Sequence, residues 1–105
     1  MWFVKTKKYS VIVEGANIYI NSDGIVRRAG LYATRWVKAD SEKEAGEIAC
    51  ELVRSELNAL GFLKNDQDNL PIFRADEIVE VETFRGHGVP GKGYSLFYDD
   101  GVNDS

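Results

Sequence analysis

The sequence has little of the residues that build metal centres and covalent cross-links. Cys50 and His87 are the only residues of their kinds, so an internal disulfide and a zinc site of cysteine and histidine are both excluded. The lack of disulfides suits a reducing compartment. No apolar run approaches the ~18 residues of a membrane helix, and the N-terminus lacks the apolar region and cleavage site of a signal peptide. These absences predict a cytoplasmic protein with no membrane partner.

The composition is that of a small globular domain. The chain has 105 residues, of which 44% are hydrophobic, so it is too apolar for a disordered chain and long enough to bury a core. We expect a single α+β domain over residues 1–98. Residues 99–105 are rich in aspartate and predict an acidic, frayed tail.

Charge is unevenly distributed along the chain. Residues 1–39 carry seven basic and two acidic side chains, whereas residues 40–105 carry six basic and fifteen acidic ones. A basic first third can indicate polyanion binding. It is also typical of a basic hairpin that pairs with acidic strands of the same fold. We favour the second interpretation, because the acidic remainder would repel a phosphate backbone.

Alternating apolar residues predict four strands. The first covers residues 9–20, but Val11 and Val13 are out of phase with Ile18 and Ile20. A β-bulge near residues 15–16 would restore one apolar face, and a turn at residues 14–15 is the alternative. A turn at residues 21–24 precedes a second strand over residues 30–39. The third and fourth strands cover residues 77–84 and 94–98.

Between the second and third strands, the sequence predicts a helix over residues 41–60. Asp40 or Ser41 can cap it, and the spacing from Ser41 to Glu44 is that of a capping box. Apolar residues recur three and four positions apart on one stripe, and Gly61 can end the helix. One stripe covers only one face of a sheet. We therefore predict an α+β fold: a four-stranded, mainly antiparallel sheet with one long helix on one face, in the order β-β-α-β-β.

The other face of the sheet is predicted to be open, and it is our candidate binding surface. We assign to it Tyr32, Thr34, Arg35, Trp36, Lys38, Glu80 and Glu82. Such a set can form a self-complementary dimer interface or a surface on which single-stranded nucleic acid or a nucleotide stacks. We favour a homodimer, because the aromatic-rich motif of RNA-binding sheets is absent and two glutamates share the surface.

Residues 86–91 match the GxGxxG pattern of nucleotide-binding loops, and His87 and Lys92 are candidate site residues there. Pro90 interrupts this loop and a strand follows it, so the helix N-terminus that would hold a phosphate is missing. We therefore expect no cofactor and no metal. A lone histidine between glycines lacks an orienting partner for base catalysis, so an enzyme that uses this loop is our least favoured hypothesis. Cys50 lies in mid-helix among acidic residues, which favours an unreactive thiol.

Four stretches of the sequence resemble a known group of proteins: residues 9–15 (YSVIVEG), 30–39 (GLYATRWVKA), 41–45 (SEKEA) and 93–98 (GYSLFY). Together they resemble a family of small bacterial cytoplasmic proteins of unassigned function. The resemblance implies a small cytoplasmic bacterial domain, and it implies no activity and no functional residues. The residues themselves predict a non-catalytic binding or assembly module that self-associates through its open sheet face.

Overall fold

The chain folds into a four-stranded sheet with one helix on one of its faces. The computed structural model describes residues 6–61, 63–65 and 67–98. In chain order, the elements are β1 (Lys7–Ser22), β2 (Ile25–Ala39), α1 (Glu42–Leu60), β3 (Ile72–Val81) and β4 (Ser95–Tyr98). The paired strands are antiparallel and lie in the order β3-β1-β2-β4. The predicted α+β fold is confirmed, and the predicted tail over residues 99–105 lies outside the described residues.

Two strands begin five residues earlier than predicted, and β1 begins two residues earlier, at Lys7. The pairing of β1 with β2 continues to Ser22 and Ile25, so β2 starts five residues before the predicted boundary. Similarly, β3 starts at Ile72, because Phe73 pairs with Gly15 of β1. It ends at Val81, before the predicted boundary at residue 84. In both cases the added residues are held by cross-strand pairing, which their own alternation does not reveal.

The first strand contains the β-bulge that its hydrophobic pattern predicts. Ala16 and Asn17 together lie opposite Gly30, between the paired residues Gly15 and Ile18. Asn17 has a φ of 57°, a left-handed conformation that asparagine adopts more readily than most residues. The bulge returns the apolar residues to one buried face, which holds Tyr9, Val11, Val13, Ile18 and Ile20. The alternative turn at residues 14–15 is thereby excluded.

The helix ends are those that the sequence predicts. Ser41 is the N-cap: its Oγ accepts a hydrogen bond from the Glu44 N–H at 3.1 Å, and the Glu44 carboxylate accepts one from the Asp40 N–H at 2.7 Å. At the other end Gly61 has a φ of 73°, and its N–H donates to the Asn58 carbonyl. The residues that α1 buries are Ala45, Gly46, Ala49, Val53 and Leu57.

The core lies between α1 and the sheet. Small residues let the helix approach closely: a Cβ built on Gly46 would lie 3.1 Å from the Ala75 Cβ and from the Ile78 Cδ1. The helix contacts β1, β2 and β3, and none of the described residues forms a helix over the opposite face of the sheet. Within the described ranges, no helix is both long enough and apolar enough to cross a bilayer.

The segment after the helix is attached to the bulge by asparagine side chains. The Asn65 Nδ2 donates to the Asn17 carbonyl at 2.8 Å, and the Asn65 Oδ1 accepts from the Tyr19 N–H at 3.0 Å. The Lys64 N–H donates to the Tyr19 carbonyl at 2.7 Å. The sequence predicts only a polar loop here. Asn65 thus satisfies backbone groups of β1 beyond Ala16, the last residue of β1 that pairs with β3.

Candidate binding surface

The face of the sheet opposite the helix is called the open face here. Directly opposed residues of neighbouring strands point to the same face, so the register assigns its members. They are Lys8, Ser10, Ile12, Glu14, Ala16, Tyr19, Asn21, Val26, Arg28, Gly30, Tyr32, Thr34, Trp36, Lys38, Ile72, Arg74, Glu77, Val79, Val81, Ser95 and Phe97. Four of the predicted site residues lie here: Tyr32, Thr34, Trp36 and Lys38.

The prediction that Arg35 belongs to the open face was wrong. Its side chain is fully buried on the helix side, where Nε and Nη2 donate to the two carboxylate oxygens of Glu56 at 3.1 and 2.8 Å. Its Nη1 donates to the carbonyls of Thr34 and Gly93. Arg35 follows the alternation of Leu31 and the other inward residues of β2. A buried arginine is rare unless it is paired, and here Glu56 and two backbone carbonyls pair it.

The prediction that Glu80 and Glu82 share the open face was also wrong. Glu80 lies opposite Tyr9, whose side chain is buried on the helix side, whereas Val79 lies opposite Ser10 on the open face. The Glu80 carboxylate is 3.9 Å from the Lys7 Nζ, and both side chains are about half exposed. The helix does not cover this corner, so a glutamate remains solvated there. Glu82 is exposed one residue beyond the end of β3.

The glycine-rich loop over residues 86–93 lies on the open face. The His87 ring stacks on the Trp36 ring with centroids 4.3 Å apart. The backbone N–H of Trp36 donates to the Pro90 carbonyl at 2.8 Å. Gly91 has a φ of 96°, and a Cβ there would lie 3.0 Å from the Trp36 ring. The loop therefore covers Trp36 in part, a contact that no sequence pattern indicated. In the part of the chain that the structure describes, no carboxylate hydrogen-bonds to the exposed His87 side chain.

Lys92 lies beside a shallow groove where the loop meets the sheet. The groove is also lined by Tyr32, Thr34, Trp36 and Tyr94, among others. The loop follows β3 and leads into β4, so no helix N-terminus points into it. A phosphate site of the nucleotide-binding type needs that helix.

A polar cluster occupies the middle of the open face. The Arg74 Nε donates to one oxygen of Glu14 at 2.6 Å, and the Tyr32 hydroxyl donates to the other at 3.3 Å. The negative charge of Glu14 raises the pKa of Tyr32, and the hydrogen bond to Glu14 raises the pKa of Arg74. The cluster places a phenol hydroxyl beside an ion pair on the surface.

Two aromatic rings lie next to this cluster. Tyr32 of β2 and Phe97 of β4 stack with centroids 5.8 Å apart, and their side chains are 41% and 43% exposed. Phe97 covers Gly30, since a Cβ at that position would lie 2.6 Å from the ring. Phe97 was not among the predicted site residues, because its position opposite Gly30 depends on the pairing of β4 with β2, which local sequence does not specify.

The remaining candidate residues form no reactive centre in the described ranges. Burial raises the pKa of the Cys50 thiol, which lowers its nucleophilicity at neutral pH. Among the residues that the structure places, no three histidine, cysteine, aspartate or glutamate side chains come together as metal ligands would.

Comparison with known proteins yields no relative. No family model matches the chain, and no curated protein and no solved structure match it. The resemblance to small bacterial cytoplasmic proteins stays a prediction. The function is therefore argued from the open face itself.

Proposed function

We propose that the protein is a non-catalytic binding module that self-associates through its open face. The supporting observation is the position of the exposed large hydrophobic side chains. Nine large hydrophobic residues are exposed in the part of the chain that the structure describes. Five of these nine have their side chains on the open face. These five are Val26, Tyr32, Ile72, Val79 and Phe97. Exposed apolar side chains concentrated on one side of a sheet support an interaction surface there.

The open face is large enough for a dimer interface. The four strands contain 16, 15, 10 and 4 residues. Each strand residue covers about 16 Å² of sheet, given a rise of about 3.3 Å and a spacing of about 4.8 Å, so the face measures roughly 700 Å². A stable interface buries about 800 Å² on each partner. Two open faces in contact would come close to that area.

The charges on the face are self-complementary in one arrangement. Lys8 and Glu14 both lie on the open face of β1 and are about 20 Å apart. A two-fold axis that crosses β1 near Val11 would place Lys8 of one copy opposite Glu14 of the other. Lys38 and Tyr32, their neighbours on β2, would then face each other as a cation and an aromatic ring. A two-fold interface needs this kind of pattern.

Light scattering after size exclusion tests the proposal. At tens of micromolar we expect twice the chain mass of 11.8 kDa for the wild type. Val79→Glu should give a monomer, because it buries a carboxylate opposite Glu77 of the other copy in the arrangement described above. The matched control is Leu60→Glu, which changes an exposed leucine at the end of α1 and should stay dimeric. A monomeric wild type, or equal effects of the two variants, would contradict the proposal.

Reversing the charges of Lys8 and Glu14 tests whether the two copies are related by this two-fold axis. Lys8→Glu and Glu14→Lys should each weaken dimerisation by about tenfold or more, and the double variant should recover much of the loss, because the pair is restored across the interface. Glu14→Lys also removes the contact with Arg74 within one copy. Thermal unfolding of each variant measures that loss of stability separately from the weaker dimerisation. Additive losses in the double variant would exclude this two-fold axis.

Binding of single-stranded nucleic acid is the second candidate function. Since Glu80 does not lie on the open face, whereas Arg28 and Arg74 do, that face is more basic than the sequence predicts. Its charged members are the cations Lys8, Arg28, Lys38 and Arg74 and the carboxylates Glu14 and Glu77. The exposed rings of Tyr32 and Phe97 offer planes on which bases can stack.

Fluorescence polarisation with a labelled oligonucleotide tests this alternative. If three phosphates are bound, a tenfold rise in salt should weaken binding by about 100-fold. Tyr32→Ala should cost about 1–3 kcal/mol of binding free energy through lost stacking, whereas Leu60→Ala should have no effect. A flat polarisation curve at low salt would exclude nucleic acid.

A further inference from the structure

The sheet has a free edge on the side of β3. In the order β3-β1-β2-β4, β3 has a neighbour only on its β1 side. Among the described residues, no backbone hydrogen bond joins the other side of β3 to another segment. An unpaired edge offers a row of N–H and C=O groups to an added strand. This edge is separate from the open face.

A groove runs along this edge between β3 and α1. It has a volume of about 520 Å³, and its apolar lining consists of Phe73, Ala75, Ile78, Gly46 and Cys50. The polar residues along it are Lys43, Glu47, Glu51 and Arg54, of which Glu51 and Arg54 pair with each other at 2.6 Å. A sheet edge beside an apolar groove is the arrangement in which extended peptides bind by strand addition.

The net charge of β3 indicates which kind of segment can pair with this edge. β3 carries Asp76, Glu77 and Glu80 against Arg74, and Arg74 is already held by Glu14. A second β3 would bring like charges together, which is unfavourable across paired strands. The extra residue at Asp76 shifts the register between residues 72–75 and 77–81, so an added segment can pair in one continuous register with residues 77–81. The complementary occupant is a basic segment of another protein.

We propose that this edge binds an extended, basic segment of a partner protein as a fifth, antiparallel strand. Opposed residues share a face, so the partner residue opposite Ile78 points into the groove, and the one opposite Val79 extends the open face. The residues opposite Glu77 and Glu80 meet carboxylates. The segment therefore has the order basic, apolar, apolar, basic. This inference does not depend on self-association, because it uses a different surface.

The test is an NMR titration with a blocked eight-residue peptide whose core is Lys-Val-Ile-Lys. We expect saturable shift changes that are confined to β3 and to the groove side of α1. A peptide with proline in place of both valine and isoleucine should bind at least tenfold more weakly, because one of these two successive residues must point its N–H toward β3 and proline has no N–H. A peptide with the core Glu-Val-Ile-Glu should likewise bind at least tenfold more weakly.

Protein variants separate recognition from general attraction between charges. Glu80→Lys should weaken binding of the basic peptide by about tenfold or more and strengthen binding of the acidic one. Asp68→Lys makes the same change in net charge at an exposed position in the loop before β3, and it should change affinity less than about twofold. Absence of saturable binding at millimolar peptide, shifts on another surface, or equal effects of the two variants would overturn the proposal.

Discussion

Replacing Arg35 with alanine is expected to lower the free energy of unfolding by about 3 kcal/mol, the lower end of the range for breaking a buried ion pair. The guanidinium is fully buried and joins three parts of the fold. It reaches Glu56 on α1, the Thr34 carbonyl on β2 and the Gly93 carbonyl before β4. Without it, the two carbonyls lose a donor and a cavity opens beneath the helix. The Glu56 side chain is 36% exposed, so it can regain water, which keeps the loss from being larger.

Urea unfolding measures this effect, and two variants control it. Lys38→Ala removes an exposed cation from the same strand and should change stability by less than about 0.5 kcal/mol. Glu56→Gln keeps an acceptor for Arg35 but removes the opposite charge, so its loss should lie between those of the other two. If Arg35→Ala were as stable as Lys38→Ala, the buried pair would not hold the three elements together.

Replacing Gly15 with valine is expected to destabilise the fold by about 2 kcal/mol. A Cβ on Gly15 would lie 2.9 Å from the Ile18 Cδ1, 3.0 Å from the Leu31 Cγ and 3.1 Å from the Phe73 Cε1. Ile18 and Leu31 are fully buried, so their side chains have no free space into which to move. Overpacking of this kind costs about 1–3 kcal/mol, and valine adds two further methyl groups. The better strand propensity of valine recovers at most about 1 kcal/mol, so crowding outweighs it.

The matched control is Gly88→Val. Gly88 lies in the glycine-rich loop, and a Cβ there would have no atom within 4 Å. Its stability should match that of the wild type within about 0.5 kcal/mol, while Gly15→Val should melt roughly 10 °C lower. A Gly15→Val protein with wild-type stability would mean that the core beside the bulge can expand.

Much of the fold could be predicted from local patterns. The bulge followed from the phase change between Val13 and Ile18, and the helix start followed from the spacing of Ser41 and Glu44. Both are properties of neighbouring residues, which the chain itself specifies. The single face buried by α1 followed from its one apolar stripe.

The membership of the open face could be predicted only in part. Alternation separates Val79 from Glu80, but it does not state which of them faces the helix. That choice depends on how far the helix extends over β3, which is a tertiary property. Arg35 was misplaced because its partner, Glu56, is 21 residues away. The position of the glycine-rich loop on Trp36 is a long-range contact with no local signal.

The bulge in β1 also determines where the length of this chain can vary. Removing one residue from it would rotate Ile18 and Ile20 outward and bring Tyr19 and Asn21 inward, because successive side chains of a strand alternate between faces. A residue added at the hairpin tip, beside the exposed Gly24, would leave both strands in phase. Homologues should therefore differ in length at the tip and keep the count between Gly15 and Ile18 constant.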